Sequence, residues 1–186
     1  KIVFKVQHTT GDAEIIHRRM LLIDLDPVRP AGISSNEAEH AAAITKAQAI
    51  RNWLTEQGWP APLIGDSGNG AHLVFRIALA NDESSRILVE NSLKALAAQF
   101  SDSNGQPQQV TVDTTVANAA RISKIYGTRV MKGDATLDRP HRMAQILEAP
   151  AVLEPVSEVQ LAALAALIAQ HTEAGQRPSS TPGLPS

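Results

Sequence analysis

Short apolar segments alternate with segments of helical periodicity along this chain, and that alternation most constrains its fold. Strand-like runs are expected at residues 1–6, 20–25, 61–65, 71–77, 109–113 and 142–147. The first helix is predicted to begin with a capping box of Ser34 and Glu37 and to stop at Gly58. Two more helices are predicted over about 82–100 and 157–170. Because strands and helices alternate, we predict an α/β or α+β class.

The composition excludes several classes of protein. The 186 residues, 43% of them hydrophobic, suffice for one domain with its own core. The formal net charge of −2 gives no sign of a nucleic-acid or membrane binder. The absence of cysteine excludes a disulfide scaffold and a Cys-ligated zinc site, and it fits a cytoplasmic location. Aromatic residues make up only 3%, which argues against a base-stacking module, and no apolar run is long enough to span a membrane.

Three aspartates follow apolar strand-like runs and are candidate metal ligands. Asp24 and Asp26 end the run LLIDLD, and Asp113 ends QVTVD. Residues i and i+2 of a strand point to the same face, so the first two carboxylates are expected to project together. Hard oxygen ligands of this kind suit Mg²⁺ or Mn²⁺, and a third carboxylate beside them would complete a site for two ions. The alternative is that these acids simply face solvent at strand ends.

A glycine-rich run, GDSGNGAH, separates two of the predicted strands. Its glycines, Gly70 among them, would let backbone N–H groups approach a ligand closely. Ser67 and His72 offer a hydroxyl and an imidazole to phosphate oxygens. The run is neither a Walker loop nor a dinucleotide-binding fingerprint, because the lysine and the following helix are missing. The alternative interpretation is a tight hairpin with an incidental histidine.

The stretch after Asp113 is basic although the whole chain is not. Residues 121–142 carry net charge +4, from two acidic residues and six basic ones: Arg121, Lys124, Arg129, Lys132, Arg139 and Arg142. Such a stretch directly after a metal-type aspartate suits a triphosphate or a nucleic-acid backbone. An ordinary solvated loop is the alternative.

The order of these motifs resembles the archaeo-eukaryotic primase superfamily, and within it the primase–polymerase domains of phages, plasmids and other mobile elements. The matching features are the DLD of Asp24 and Asp26, the Gly-Ala-His that ends at His72, and Asp113 at the end of a hydrophobic strand. The basic run NAARISKIYGTRVMKGDATLDRPHR is also similar. The resemblance covers about residues 18–150. It implies a primase catalytic core, with a sheet like that of RNA-recognition domains flanked by helices.

The resemblance also implies a function for each candidate residue. The three aspartates would be catalytic and hold two Mg²⁺ or Mn²⁺ ions. His72, Ser67 and Gly70 would bind the phosphates of an incoming NTP or dNTP, together with Arg121 and with Lys124 or Lys132. The remaining cations, Arg129, Arg139 and Arg142, would reach the phosphates of a single-stranded DNA template or its primer. The implied activity is template-dependent nucleotidyl transfer that makes or extends primers.

The resemblance and the C-terminal composition define the expected domains. We expect residues 1–172 to form the catalytic domain. Eight of the last twelve residues are Pro, Ser or Gly, so residues 173–186 are interpreted as a flexible linker. Such a linker would lead to a helicase or to a primase C-terminal domain on the same polypeptide.

Other classes of protein share parts of this pattern. A primase-like domain with weak catalysis would act as a replication initiator that binds nucleic acid. A DxD phosphotransferase of the haloacid dehalogenase type would use Asp24 as a nucleophile, but it needs a later acidic pair that the chain lacks. A sugar transferase that holds a nucleotide sugar through DxD is a further alternative, and a non-catalytic RNA-recognition sheet would need more exposed aromatic residues.

Overall fold

The structure, a computed structural model, describes residues 9–102 and 107–175, with side chains described to residue 168. The strand predicted at residues 1–6 lies outside the described residues. Residues 176–186 of the predicted linker also lie outside the described residues. No helix in the described ranges is long and apolar enough to cross a membrane.

Five antiparallel strands form the main sheet: β1 (His17–Pro27), β2 (Leu63–Asp66), β3 (Ala71–Ala80), β4 (Val110–Val112) and β7 (Gln145–Glu148). Their order in the sheet is β4-β1-β3-β2-β7. A separate two-stranded sheet pairs β5 (Arg129–Val130) with β6 (Arg142–Met143).

Three helices complete the fold: α1 (Glu37–Glu56), α2 (Glu83–Phe100) and α3 (Glu158–Gly175). The first six elements run β1-α1-β2-β3-α2-β4, which is the connectivity of a split β-α-β unit. The alternation of elements predicted an α/β or α+β class, and the antiparallel sheet with its helices is of the α+β kind.

The two faces of the sheet differ in polarity. Along β1, Leu21, Ile23 and Leu25 are almost fully buried and pack in one core with residues of α1 and α2. Asp24 and Asp26 alternate with them and are partly exposed. One face of the sheet therefore holds the core, and the other face is left open for a site.

The first helix begins two residues later than predicted. Asn36 is the N-cap of α1 and forms the capping box with Glu39, whereas Ser34 and Glu37 do not cap it. Ser34 is buried and donates its hydroxyl to the carbonyl of Lys132 at 3.2 Å. A tertiary contact that local spacing does not reveal thus takes this side chain out of the cap.

Two boundaries near the C-terminus also differ from the predictions. The strand expected at 142–147 is divided between β6 and β7 by the buried Ala144. Helix α3 continues to Gly175, beyond the predicted end at 170 and three residues into the expected linker. Its start agrees with the prediction, since Ser157 and Gln160 exchange the hydrogen bonds of a capping box.

Candidate functional site

A cleft of about 460 Å³ lies on the open face of the sheet. Asp24 and Asp26 at the end of β1 both line this cleft, as the strand alternation predicts. Other polar side chains that line it are those of Arg29, Ser67, Asn69, His72, Lys124 and Lys132. The side chain of Asp24 is 17% exposed and that of Asp26 is 47% exposed. An Nη1 atom of Arg29 lies 3.4 Å from Asp26 Oδ1. The cleft therefore combines two carboxylates with several cationic side chains.

Asp113 continues the pairing of β4 with β1. Leu25 pairs with Val112, and the backbone N–H of Asp113 donates to the carbonyl of Asp24 at 2.9 Å. Residues that face each other across an antiparallel pair share one face of the sheet, so Asp113 and Asp24 have neighbouring positions on it. The topology thus brings the three predicted acids together at one end of two adjacent strands.

The carboxylate of Asp113 is engaged elsewhere, however. Its Oδ1 accepts hydrogen bonds from the backbone N–H and the hydroxyl of Thr115, both at 2.7 Å, and its Oδ2 lies 3.7 Å from Arg121. Within the described residues, no group of three or more His, Asp or Glu side chains is arranged to hold a metal ion. Asp24 and Asp26 suit a hard cation by their chemistry. Asp113 would join them through Oδ2, or through Oδ1 after it releases Thr115.

The glycine-rich run forms the tight hairpin turn between β2 and β3. Asp66 Oδ1 accepts the N–H of Gly68 at 2.6 Å, and Ser67 Oγ accepts the N–H of Gly70 at 2.9 Å. These two N–H groups therefore bond within the turn and are not offered to a ligand. Gly70 is required for packing, because a Cβ there would lie 2.1 Å from the carbonyl oxygen of Leu25.

His72 lies beside Asp24 on the open face. The two residues pair across β1 and β3, and His72 Nε2 lies 3.5 Å from Asp24 Oδ1. The other ring nitrogen, Nδ1, is 3.0 Å from the hydroxyl of Tyr126. His72 is only 3% exposed, but its neighbours are polar and it lines the cleft. This environment differs from that of a histidine packed among apolar core side chains.

The predicted nucleotide-binding cations divide into two groups. Lys124 and Lys132 are exposed and line the cleft. Arg121 instead lines two other depressions, and its Nη2 lies 3.7 Å from Asp113 Oδ2. The two lysines thus share the cleft with Asp24 and Asp26, whereas Arg121 lies outside it and pairs with Asp113.

Two of the predicted DNA-binding arginines are engaged with the start of α1. Arg139 binds both carboxylate oxygens of Glu39, at 2.8 and 3.0 Å. Arg142 donates to the carbonyl of Ser35 at 2.8 Å and to Glu37 at 3.0 Å. These bonds attach the basic segment to the helix that begins beside the cleft. Arg129 is exposed and makes no such pair in the described part of the chain.

Two carboxyl groups near this attachment are predicted to make stability depend on acid pH. Burial alone would raise the pKa values of Glu39 and Asp66. Side-chain hydrogen bonds from Arg139 and His40, backbone hydrogen bonds and nearby positive charge together outweigh burial, so both pKa values are lowered. A lowered folded-state pKa stabilises the fold above the unfolded pKa of about 4, and this stabilisation is lost as pH falls through the folded value. We expect the free energy of unfolding in urea to decrease steeply below about pH 4.

The variant Glu39→Gln tests this pH dependence. It is expected to be less stable than the original protein at pH 6 and to lose less stability between pH 6 and pH 3. Glu154→Gln is the control, since Glu154 is exposed. Parallel stability curves for Glu39→Gln and the original protein would contradict the prediction.

Sequence reasoning missed Tyr126 and Asn69. Asn69 is buried at the cleft, where its Oδ1 accepts the N–H of Ser35 at 2.9 Å. Tyr126 lies 54 residues from His72 in sequence, so no local spacing predicts their contact. The signal that could have indicated it is Gly65, a strand glycine that suggests close approach by another group.

No protein-family model matches the chain, and no curated protein is significantly similar to it.

Proposed function

We propose that this chain is a template-dependent nucleotidyl transferase with the catalytic core of an archaeo-eukaryotic primase, of the primase–polymerase type. Its substrates would be a nucleoside or deoxynucleoside triphosphate and a primer on single-stranded DNA. The observation that carries the proposal is the convergence of Asp24, Asp26 and Asp113 at one end of two adjacent strands, beside His72 and exposed lysines.

The residues of the cleft suit the charge of a triphosphate. His72 Nε2, which lies 3.5 Å from Asp24 Oδ1, would donate a hydrogen bond to a phosphate oxygen. Lys124 and Lys132, which line the same cleft, would neutralise the negative charge that develops on the leaving pyrophosphate. Arg121, which lines the neighbouring depressions and lies 3.7 Å from Asp113 Oδ2, would have to turn toward the cleft to meet the triphosphate. The primer hydroxyl would attack the α-phosphate, and its proton would pass to solvent.

Asp24 and Asp26 would hold Mg²⁺ or Mn²⁺, and Asp113 would complete the site through Oδ2 or through Oδ1 after it releases Thr115. When bound, two such ions lower the pKa of the attacking hydroxyl and stabilise the charge of the leaving group. Without them, the repulsion between the carboxylates and the triphosphate would oppose substrate binding.

The engagement of Asp113 with Thr115 favours a second candidate function. A domain with only two carboxylates toward the cleft would bind a triphosphate and DNA without efficient transfer, as a primase-like replication initiator does. Incorporation of a labelled nucleotide onto a primed single-stranded DNA, in the presence of Mn²⁺, separates the two. A protein that binds both ligands and leaves the primer unextended is the initiator.

Without a triphosphate in the cleft, the exposed cations Lys124, Arg129 and Lys132 are all predicted to contact DNA phosphates, whereas Arg139 and Arg142 are held by glutamates. Replacing the three exposed cations with alanine should reduce the salt slope of single-stranded DNA binding by about two units, at about 0.7 unit per lost phosphate contact. Fluorescence anisotropy at several salt concentrations measures the slope. The control is Lys94→Ala on α2, where Lys94 pairs with Glu90. An unchanged slope in the triple variant would mean that the DNA path lies elsewhere.

A further inference from the structure

Tyr126 turns inward from a segment that otherwise faces solvent. Between residues 121 and 129 it alone is not exposed. Its hydroxyl lies 3.0 Å from His72 Nδ1, and the two rings meet edge to face with centroids 6.0 Å apart. It is the chain's only tyrosine. No part of the predicted chemistry uses it, so its placement needs its own explanation.

Gly65 provides the space in which the tyrosine ring lies. It pairs with His72 across β2 and β3. A Cβ at Gly65 would lie 2.3 Å from the hydroxyl oxygen of Tyr126 and 2.5 Å from Cε1 and Cζ. Those distances are far below van der Waals contact, so any side chain at this position would displace the ring. The glycine and the tyrosine therefore form one packing unit over His72.

The backbone on the C-terminal side of Tyr126 is also fixed. The N–H of Gly127 donates to the carbonyl of Ala144 at 2.6 Å, and the N–H of Ala144 donates to Thr128 at 2.9 Å. The hydroxyl of Thr128 donates back to the carbonyl of Ile125 at 2.6 Å. The position of the Tyr126 ring is therefore fixed both by its packing against Gly65 and by the hydrogen bonds of the backbone around it.

The hydrogen bond determines which nitrogen of the neutral imidazole carries the proton. Burial, and to a smaller extent the charge of Asp24, raises the pKa of Tyr126 to about 12, so the phenol keeps its proton and can donate it. If Tyr126 donates to Nδ1, the proton of His72 resides on Nε2, which faces the Asp24 carboxylate at 3.5 Å. The opposite tautomer would direct a lone pair at that carboxylate, which is unfavourable. Both neighbours therefore favour the same tautomer.

We propose that Tyr126 is a positioning residue that holds His72 with its Nε2–H directed into the cleft, ready to donate to an anionic phosphate oxygen. The identity of that phosphate as a nucleoside triphosphate rests on the proposed function. The orientation of His72 does not, because the contacts of Tyr126, Gly65 and Asp24 with the ring exist without a ligand. In functional histidines generally, the hydrogen bond made by one ring nitrogen determines whether the other nitrogen carries the proton.

The variant Tyr126→Phe tests the proposal, because it keeps the ring on Gly65 and removes only the hydroxyl. Nitrogen-15 NMR of the imidazoles at a fixed pH where they are neutral reports the tautomer of His72 in the free protein. We expect a single Nε2–H form in the original protein and a mixture of tautomers in Tyr126→Phe. The signals of His141, which bonds to the carbonyl of Gly133, serve as the internal control.

The same variant is expected to raise the KM for the nucleoside triphosphate about tenfold, the effect of weakening one hydrogen bond to a charged group, with a smaller change in kcat. Gly65→Ala, which displaces the ring by another route, should also give mixed tautomers. An unchanged tautomer and an unchanged KM in Tyr126→Phe would overturn the proposal. A changed tautomer in a protein that binds no triphosphate would support the positioning of His72 and overturn the proposed function instead.

Discussion

Replacing Asp26 with asparagine is expected to reduce nucleotide incorporation at least about a thousandfold while leaving the fold intact. The substitution keeps the size of the side chain and removes its charge, and hard divalent cations need that charge. The side chain of Asp26 is 47% exposed, and the Arg29 contact at 3.4 Å is its only ion pair in the described part of the chain. The variant should therefore lose little stability. Single-turnover primer extension measures the rate, and thermal unfolding measures the stability.

Asp134→Asn is the matched control, because Asp134 is an exposed aspartate of the basic segment that does not line the cleft. It should incorporate nucleotide at the original rate. Titration with Mn²⁺, followed by electron paramagnetic resonance, should show weaker binding for Asp26→Asn and unchanged binding for the control. Equal incorporation rates in the two variants would contradict the assignment of Asp26 as a metal ligand.

Replacing Gly70 with alanine is expected to have the largest effect on stability. The added Cβ would lie 2.1 Å from the carbonyl oxygen of Leu25 and 3.3 Å from Asp26 Oδ1. The first of these atoms belongs to the backbone of β1, between the two aspartates, and it cannot move without shifting the strand. We expect the free energy of unfolding to fall by about 3 kcal/mol or more, at the upper end of what overpacking costs.

Gly11→Ala is the control for this substitution. A Cβ at Gly11 would find only Glu14 Oε2, at 3.9 Å, and its backbone is extended. The free energies of unfolding measured in urea should differ between the two variants by most of the expected loss. The Gly70 variant should also bind Mn²⁺ more weakly, because the strand that carries Asp24 and Asp26 is displaced. Equal stability of the two variants would mean that the turn can move away from β1 at little cost.

Local periodicity predicted the parts of the fold and the site that depend on neighbouring residues. The alternation in LLIDLD correctly predicted that Asp24 and Asp26 share one face of a strand. The second helix, expected at about 82–100, forms over Glu83–Phe100, with Asp82 as its N-cap. Strand and helix periods are local properties of the chain, and the core selects the apolar face of each element.

Contacts between distant residues could not be predicted in this way. Arg139 and Glu39 are 100 residues apart, and they bring a basic segment onto the start of α1. The sequence alone could not distinguish whether Arg139 binds a phosphate or a carboxylate, because a guanidinium group binds either. The choice depends on the path of the chain between them, which spacing does not encode.

The glycine-rich turn shows the same limit within a shorter stretch. Three glycines in six residues suggested backbone N–H groups open to a phosphate, but Asp66 and Ser67 accept two of these bonds themselves. Asx and Ser side chains commonly satisfy a turn from within. What the glycines allow is close packing, against β1 at Gly70 and against Tyr126 at Gly65.

The most direct test of the proposed function is the identity of the product formed on a template of known sequence. The original protein would be incubated with Mn²⁺, a primed single-stranded DNA and one α-labelled triphosphate at a time. The account predicts that the primer grows by the nucleotide complementary to the template, that changing the template base changes the nucleotide incorporated, and that pyrophosphate is released. Release of inorganic phosphate with an unextended primer, or triphosphate and DNA binding with no product, would contradict it.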